Sequence, residues 1–200
     1  MTPWARPDQS PAHESEVQPG GGELAALARG DDAALGRLIR RWQRPLFSFA
    51  CRYLQNEADA ADMVAETFAK LYQQRRRISE GASVSSWLFT VLANRCRNRL
   101  RWARRHPAEP FDVMEGRAGI PCDQPQPDSA LRQRERVSAL QRAVADLPHE
   151  LKTALLLHHY DRLSYREIAA IAGCSERGVE TRLYRARQRL QAVLQPQLMD

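Results

Sequence analysis

Apolar residues recur at three- and four-residue spacing along most of this chain, and no segment sustains the two-residue alternation of a half-buried strand. In the first half the spacing predicts helices over 23–29, 31–55, 57–77 and 85–105, broken by Gly30, by Asn56 and by the polar stretch Ser79 to Ser83. In the last of these, Leu88, Leu92, Cys96 and Leu100 recur every four residues as a buried stripe. A second helical block runs from about Ala130 to Leu194.

Between the blocks, residues 106–129 hold Pro107, Pro110, Pro121, Pro125 and Pro127 with Gly116 and Gly119, the composition of an extended linker. Residues 1–22 are rich in Pro and Gly and poor in apolar side chains, so they are expected to carry no fold of their own. The expected fold class is all-α, two small helical domains joined by a flexible linker. Their boundaries are a tail over 1–22, a first domain over 23–105, the linker over 106–129 and a second domain over 130–195.

The most specific segment is LSYREIAAIAGCSERGVETRLYRARQRL, Leu163 to Leu190. Ser164 with Glu167 three residues on is a capping-box start, each side chain satisfying a backbone donor at the helix end. Ile168, Ala169 and Ala172 then give an apolar face, and Gly173 can take the left-handed conformation that stops the helix. Ser175 can cap a second helix that buries Val179, Leu183, Ala186 and Leu190. Two short helices around a tight turn make a helix-turn-helix, which holds its second helix in the DNA major groove. The unburied faces of that helix present Arg177, Glu180, Thr181, Arg182, Tyr184 and Arg185. Glu180 has two readings, an acceptor for a cytosine amino group or a partner in an ion pair within the helix with Arg177 or Arg187.

Charge sharpens this picture. The 200 residues carry a formal net charge of +6, which suits a polyanionic partner. Only Lys70 and Lys152 are lysines, so nearly all the positive charge is guanidinium, suited to bidentate phosphate and guanine contacts. Arg-rich codon usage would give the same bias, but not the same clustering. Two helices of the first block differ in electrostatic character. In NEADAADMVAETFAKLY, Asp59, Asp62 and Glu66 share one face, either a solvated surface or a docking surface for a basic partner. In SSWLFTVLANRCRNRLRWARR, Asn94, Arg97, Arg101 and Arg105 line a face, and no acidic residue lies between Asn94 and Arg105. With Trp87 and Trp102 nearby, this helix suits single-stranded nucleic acid, where bases stack and the backbone is tracked by charge.

Other chemistries find little support. Cys51, Cys96, Cys122 and Cys174 are far apart and match neither a disulfide framework nor a zinc spacing. His158 and His159 are adjacent and point apart, unlike an i, i+4 metal pair. No catalytic constellation or phosphate loop stands out, so neither an enzyme nor a cofactor or metal is expected. With no signal segment and no apolar run long enough to span a bilayer, the expected location is cytoplasmic.

The motifs DAADMVAETFAKLY, SSWLFTVLANRCRNRLR and LPHELKTALLLHHYDRLSYREIAAIAGCSERGVETRLYRARQRL occur in that order around a Pro-rich linker. This arrangement resembles the extracytoplasmic-function group of bacterial sigma factors, in the sigma-70 family, over about Glu23 to Leu194. The resemblance implies a transcription initiation factor that binds core RNA polymerase and recognises and melts promoter DNA; the alternative is a stand-alone helix-turn-helix regulator of duplex DNA. It implies polymerase docking through Asp59, Asp62, Glu66 and Phe68. It implies capture of the melted minus-ten element by Val84, Asn94, Arg97 and Arg101, with Asn94 lining the pocket of a flipped-out base. It implies minus-thirty-five contacts by Ser175, Arg177, Gly178, Glu180, Thr181, Arg182, Tyr184 and Arg185. An anti-sigma factor is a partner the family often has, and no small-molecule substrate is implied. The chain departs from the family pattern at Ala65, where a glutamine is common, and at Val84, where an aromatic is frequent. It also departs at Arg177-Gly178, in place of Gly-Thr, and at Glu180, in place of a basic residue.

Overall fold

The computed structural model describes residues 21–78, 83–106 and 137–194. The expectations for the tail up to residue 20, for Ser79 and for the linker with Cys122 lie outside the described residues. The first group of helices is α1 (Gly21–Ala28), α2 (Asp32–Leu54), α3 (Glu57–Gln74) and α4 (Val84–Arg105). The second is α5 (residues 137–145), α6 (His149–His159), α7 (Tyr165–Ala172) and α8 (Glu176–Leu194). Among the described residues every regular element is helical, as the spacing predicts.

Local chemistry sets the boundaries. Asp31 caps α2 by accepting from the Ala33 N–H. The break expected at Asn56 involves two residues: Gln55 ends α2 in the left-handed region at φ 56°, and Asn56 caps α3 by accepting from the Asp59 N–H at 2.9 Å. α3 stops at Gln74, three residues short of expectation, because the Arg75 N–H turns back to the Tyr72 carbonyl in a tighter turn. Ser83 caps α4.

The first core joins Leu38, Leu46, Phe49 and Tyr53 of α2 to Phe68 and Leu71 of α3 and to Leu88, Phe89, Leu92 and Cys96 of α4. Phe49 and Phe89 meet edge-on with centroids 5.6 Å apart, an arrangement that adds about 1 kcal/mol to simple burial. In the second group Leu155 and Leu157 of α6 are buried with Ile168 and Ile171 of α7 and with Val179, Leu183 and Ala186 of α8.

α6 explains how the two groups meet. Leu151 through Leu157 are all buried, so this helix is covered on every side. A helix that hides its whole circumference needs neighbours all round. α7 and α8 cover one side and α2 covers another, while α4 packs on α7. The two expected domains are therefore in contact.

Candidate nucleic-acid interface

The helix-turn-helix is built as its sequence dictates. The Ser164 Oγ accepts from the Glu167 N–H at 3.3 Å, and the Glu167 carboxylate accepts from the Ser164 N–H at 2.8 Å, completing the capping box. Gly173 takes φ 60°, and its N–H bonds to the Ala169 carbonyl. Ser175 begins α8 by accepting from the Gly178 N–H at 3.1 Å. With Val179, Leu183 and Ala186 fully buried, α8 turns Arg177, Glu180, Thr181, Tyr184 and Arg185 outward, and Tyr184 is 60% exposed. Glu180 has no ion-pair partner among the described residues, so neither Arg177 nor Arg187 neutralises it.

Two of the expected upstream-element residues take other positions. Arg182 points inward, donating to the Ala172 carbonyl at 3.4 Å and pairing with Glu150 at 3.5 Å. It ties α8 to the turn and to α6, rather than joining the exposed face of α8. Gly178 packs close to the turn: a Cβ there would lie 3.3 Å from the Cys174 Cβ and 3.4 Å from the Ser175 Oγ. The small residue leaves room for the turn residues Cys174 and Ser175 against the first turn of α8.

On α4, Asn94 and Arg101 are exposed and Arg97 is half-buried, its Nε without a hydrogen-bond partner. Val84 corrects the sequence expectation: it is the first residue of α4 and only 5% exposed, so its side chain belongs to the core and is closed to a base. Trp102 is 50% exposed, stacked on His106 and covered by the Arg99 guanidinium 4.8 Å from its ring centre. Trp87 packs on the core.

On α3, Asp62 is exposed and in no ion pair among the described residues, whereas Asp59 pairs with Arg99 at 2.8 Å and Glu66 pairs with Arg95. The acidic and basic helices thus partly neutralise each other. Phe68 is 7% exposed and sits in the first core, which removes it from the expected docking face.

The sequence reading missed a cleft between the two groups. It measures about 290 Å³, and its walls include Asn94 and Arg97 of α4, His149 of α6, Gly173 at the turn and Arg182 of α8. Thr90 of α4 donates across it to the Ile171 carbonyl at 3.3 Å. Nearby, the Tyr53 hydroxyl of α2 hydrogen-bonds His149 Nδ1, and the Lys152 ammonium lies 4.9 Å from the Tyr53 ring centre. Burial pushes His149 down to about 4, with the Arg97 charge adding to the effect, and burial pushes Lys152 down to about 8. The uninterrupted apolar run Ala154 to Leu157 was the available signal, because a one-sided helix does not need it.

A model of Sigma-70 region 2 matches residues 38–106, and one of Sigma-70 region 4 matches residues 138–190. The ECF RNA polymerase sigma-E factor of Escherichia coli is 30% identical over 175 residues, covering 85% of this chain and 91% of that protein. This chain belongs to the extracytoplasmic-function sigma factors of the sigma-70 family. The RNA polymerase sigma-H factor of Pseudomonas aeruginosa is 28% identical over 180 residues, covering 87% of this sigma factor and 93% of the relative. Among solved structures, CnrH bound to the cytosolic domain of CnrY shares the fold at TM-score 0.66 and 23% identity, over 88% of this chain and 97% of that one. RpoE of Bartonella quintana, bound to the anti-sigma factor NepR, matches at TM-score 0.60 and 25% identity, over 80% and 96% respectively. As a sigma factor the chain directs RNA polymerase to promoters. Among the described residues no helix is long and apolar enough to cross a membrane.

Proposed function

We propose that this sigma factor divides promoter recognition between its two helical groups. The first, residues 23–105, docks on core RNA polymerase and holds the melted minus-ten strand; the second, 130–195, reads the minus-thirty-five duplex; residues 106–129 tether them. α3 docks through Asp62, with Asp59 and Glu66 beside it. Asn94, Arg97 and Arg101 of α4 hold the unpaired strand by charge and hydrogen bonding, as a stack opened by protein requires. Ser175, Arg177, Glu180, Thr181, Tyr184 and Arg185 meet the duplex, residues near the start of α8 at base edges and flanking arginines at phosphates. The factor performs no chemistry itself and acts in the cytoplasm. The anti-sigma factor bound to the Bartonella quintana RpoE supports a regulating protein partner of the same kind here.

One observation carries this reading: α8 separates a fully buried stripe, Val179, Leu183 and Ala186, from an exposed face of Arg177, Thr181, Tyr184 and Arg185. A stand-alone regulator would need that face but not the polar surfaces of α3 and α4. Permanganate footprinting with core polymerase tests the division. Thymines around minus ten should become reactive with the unaltered chain and stay protected with Asn94→Ala. Equal reactivity for both would remove α4 from strand capture.

A further inference from the structure

In the packed form, two of the residues assigned to the melted strand, Asn94 and Arg97, face the helix-turn-helix. Asn94 and Arg97 share one cleft with Gly173 and Arg182, and a strand running along α4 would occupy the place of the turn. The same packing opposes binding of both promoter elements at once. By their names the elements lie about 25 base pairs apart, roughly 85 Å of duplex at about 3.4 Å per pair. Two readers that share a cleft cannot span that distance. The chain between them can: the 30 residues from 107 to 136 reach at most about 100 Å when extended. Promoter binding therefore requires the two groups to part, and whatever holds them together sets the cost.

We propose that the Tyr53–His149 contact is a latch on the packed form, released when His149 takes up a proton. The inference rests on the assignment of α4 and α8 proposed above. In the packed form the Tyr53 hydroxyl and His149 Nδ1 are hydrogen-bonded, and the two rings meet nearly edge-on with centroids 5.9 Å apart; a neutral imidazole carrying its proton on Nε2 accepts the tyrosine hydroxyl at Nδ1. A proton on that nitrogen would reverse the donor role and place a cation among like charges. Arg97 faces it from α4, Lys152 from its own helix and Arg182 from α8; Glu150 is the one acidic group beside it, and Glu150 already pairs with Arg182. Tyr53 from α2 and Thr153 from α6 are neutral.

The sign follows from burial. His149 binds its proton less tightly in the packed form, at about 4, than an ordinary histidine at 6.5, so packing is favoured at high pH. The latch holds above about pH 6.5 and weakens about tenfold per unit as the pH falls toward 4. Lys152, held near 8, acts in the same sense at alkaline pH. Asp161, raised to about 6 by burial, titrates in the opposite sense, so the test uses an Asp161→Asn background.

Small-angle X-ray scattering of the full chain, taken at about pH 7.5 and about pH 5.5 with helicity followed by circular dichroism, reads the latch without DNA. The parent should expand at the lower pH with its helicity retained. His149→Asn keeps an acceptor but cannot hold a proton, and should give the same radius at both values. Tyr53→Phe should be expanded already at the higher pH. A parent radius unchanged between the two pH values, or an equal expansion in His149→Asn, would overturn the latch. Expansion without any gain in affinity for single-stranded promoter DNA would support the latch and refute the assignment of Asn94 and Arg97 instead.

Discussion

Asp59 of α3 and Arg99 of α4 are joined by an ion pair of 2.8 Å, and the same guanidinium covers the ring of Trp102. The pair braces the two helices of opposite charge, whereas Asp62, one turn along α3, is exposed and in no ion pair among the described residues. Asp59→Ala should therefore lower the stability of the chain by about 1 kcal/mol, as expected for a charge-assisted contact that is only partly screened by water. Asp62→Arg should leave the urea midpoint unchanged and weaken co-elution with core polymerase. Equal effects of the two variants on stability would contradict this division of roles.

Arg182 and Arg185 separate in the same way. Arg185 is exposed on α8 and lines a groove with Arg97 and Arg189, while Arg182 braces the turn through Ala172 and Glu150. Arg185→Ala should cost about 1–3 kcal/mol of duplex affinity if the contact is to guanine. If the contact is to phosphate, the salt slope should instead fall by about one. Arg182→Ala should show first as a lower melting temperature. Filter binding at several salt concentrations, beside thermal melts, distinguishes them.

What the sequence revealed was mostly local. The capping box at Ser164 and Glu167, the stop at Gly173 and the cap at Ser175 depend on residues within a few positions of one another, and each is formed as expected. The apolar stripe of Leu88, Leu92 and Cys96 was equally legible, since helical spacing alone places those residues on one face. Phe68 and Val84 were harder to place, because family position suggested contact surfaces while burial depends on how α3 and α4 pack. The inward turn of Arg182 depends on carbonyl Ala172 and on Glu150, which lies 32 positions away. The contact between the two groups was hidden for the same reason: Tyr53 and His149 are 96 residues apart, and nothing local pairs them.

The turn itself offers a clean stability test. Ser164→Ala removes the acceptor for the Glu167 N–H and should cost about 1 kcal/mol. Gly173→Ala places a Cβ in open space but at φ 60°, so its cost of about 1–2 kcal/mol should come from backbone strain alone. Urea denaturation measures both. A Gly173→Ala midpoint equal to that of the parent would refute the left-handed stop.

Cysteine chemistry checks the packing of α4. Cys96 is fully buried, and burial pushes its thiol up to about 12, whereas Cys51 and Cys174 are partly exposed. In the native protein near neutral pH, iodoacetamide should label Cys174 well before Cys96. Cys96 should be modified only after denaturant is added. Mass spectrometry of the digested protein reads the order.

As a sigma factor, this chain gives core RNA polymerase its promoter choice. Transcription by purified core enzyme on a pool of genomic promoter fragments, with and without the chain, tests it most directly. Transcripts with defined start sites should form only when the chain is added, disappear with Asn94→Ala and weaken with Arg185→Ala. Absence of both core-polymerase binding and start-specific transcripts would contradict it.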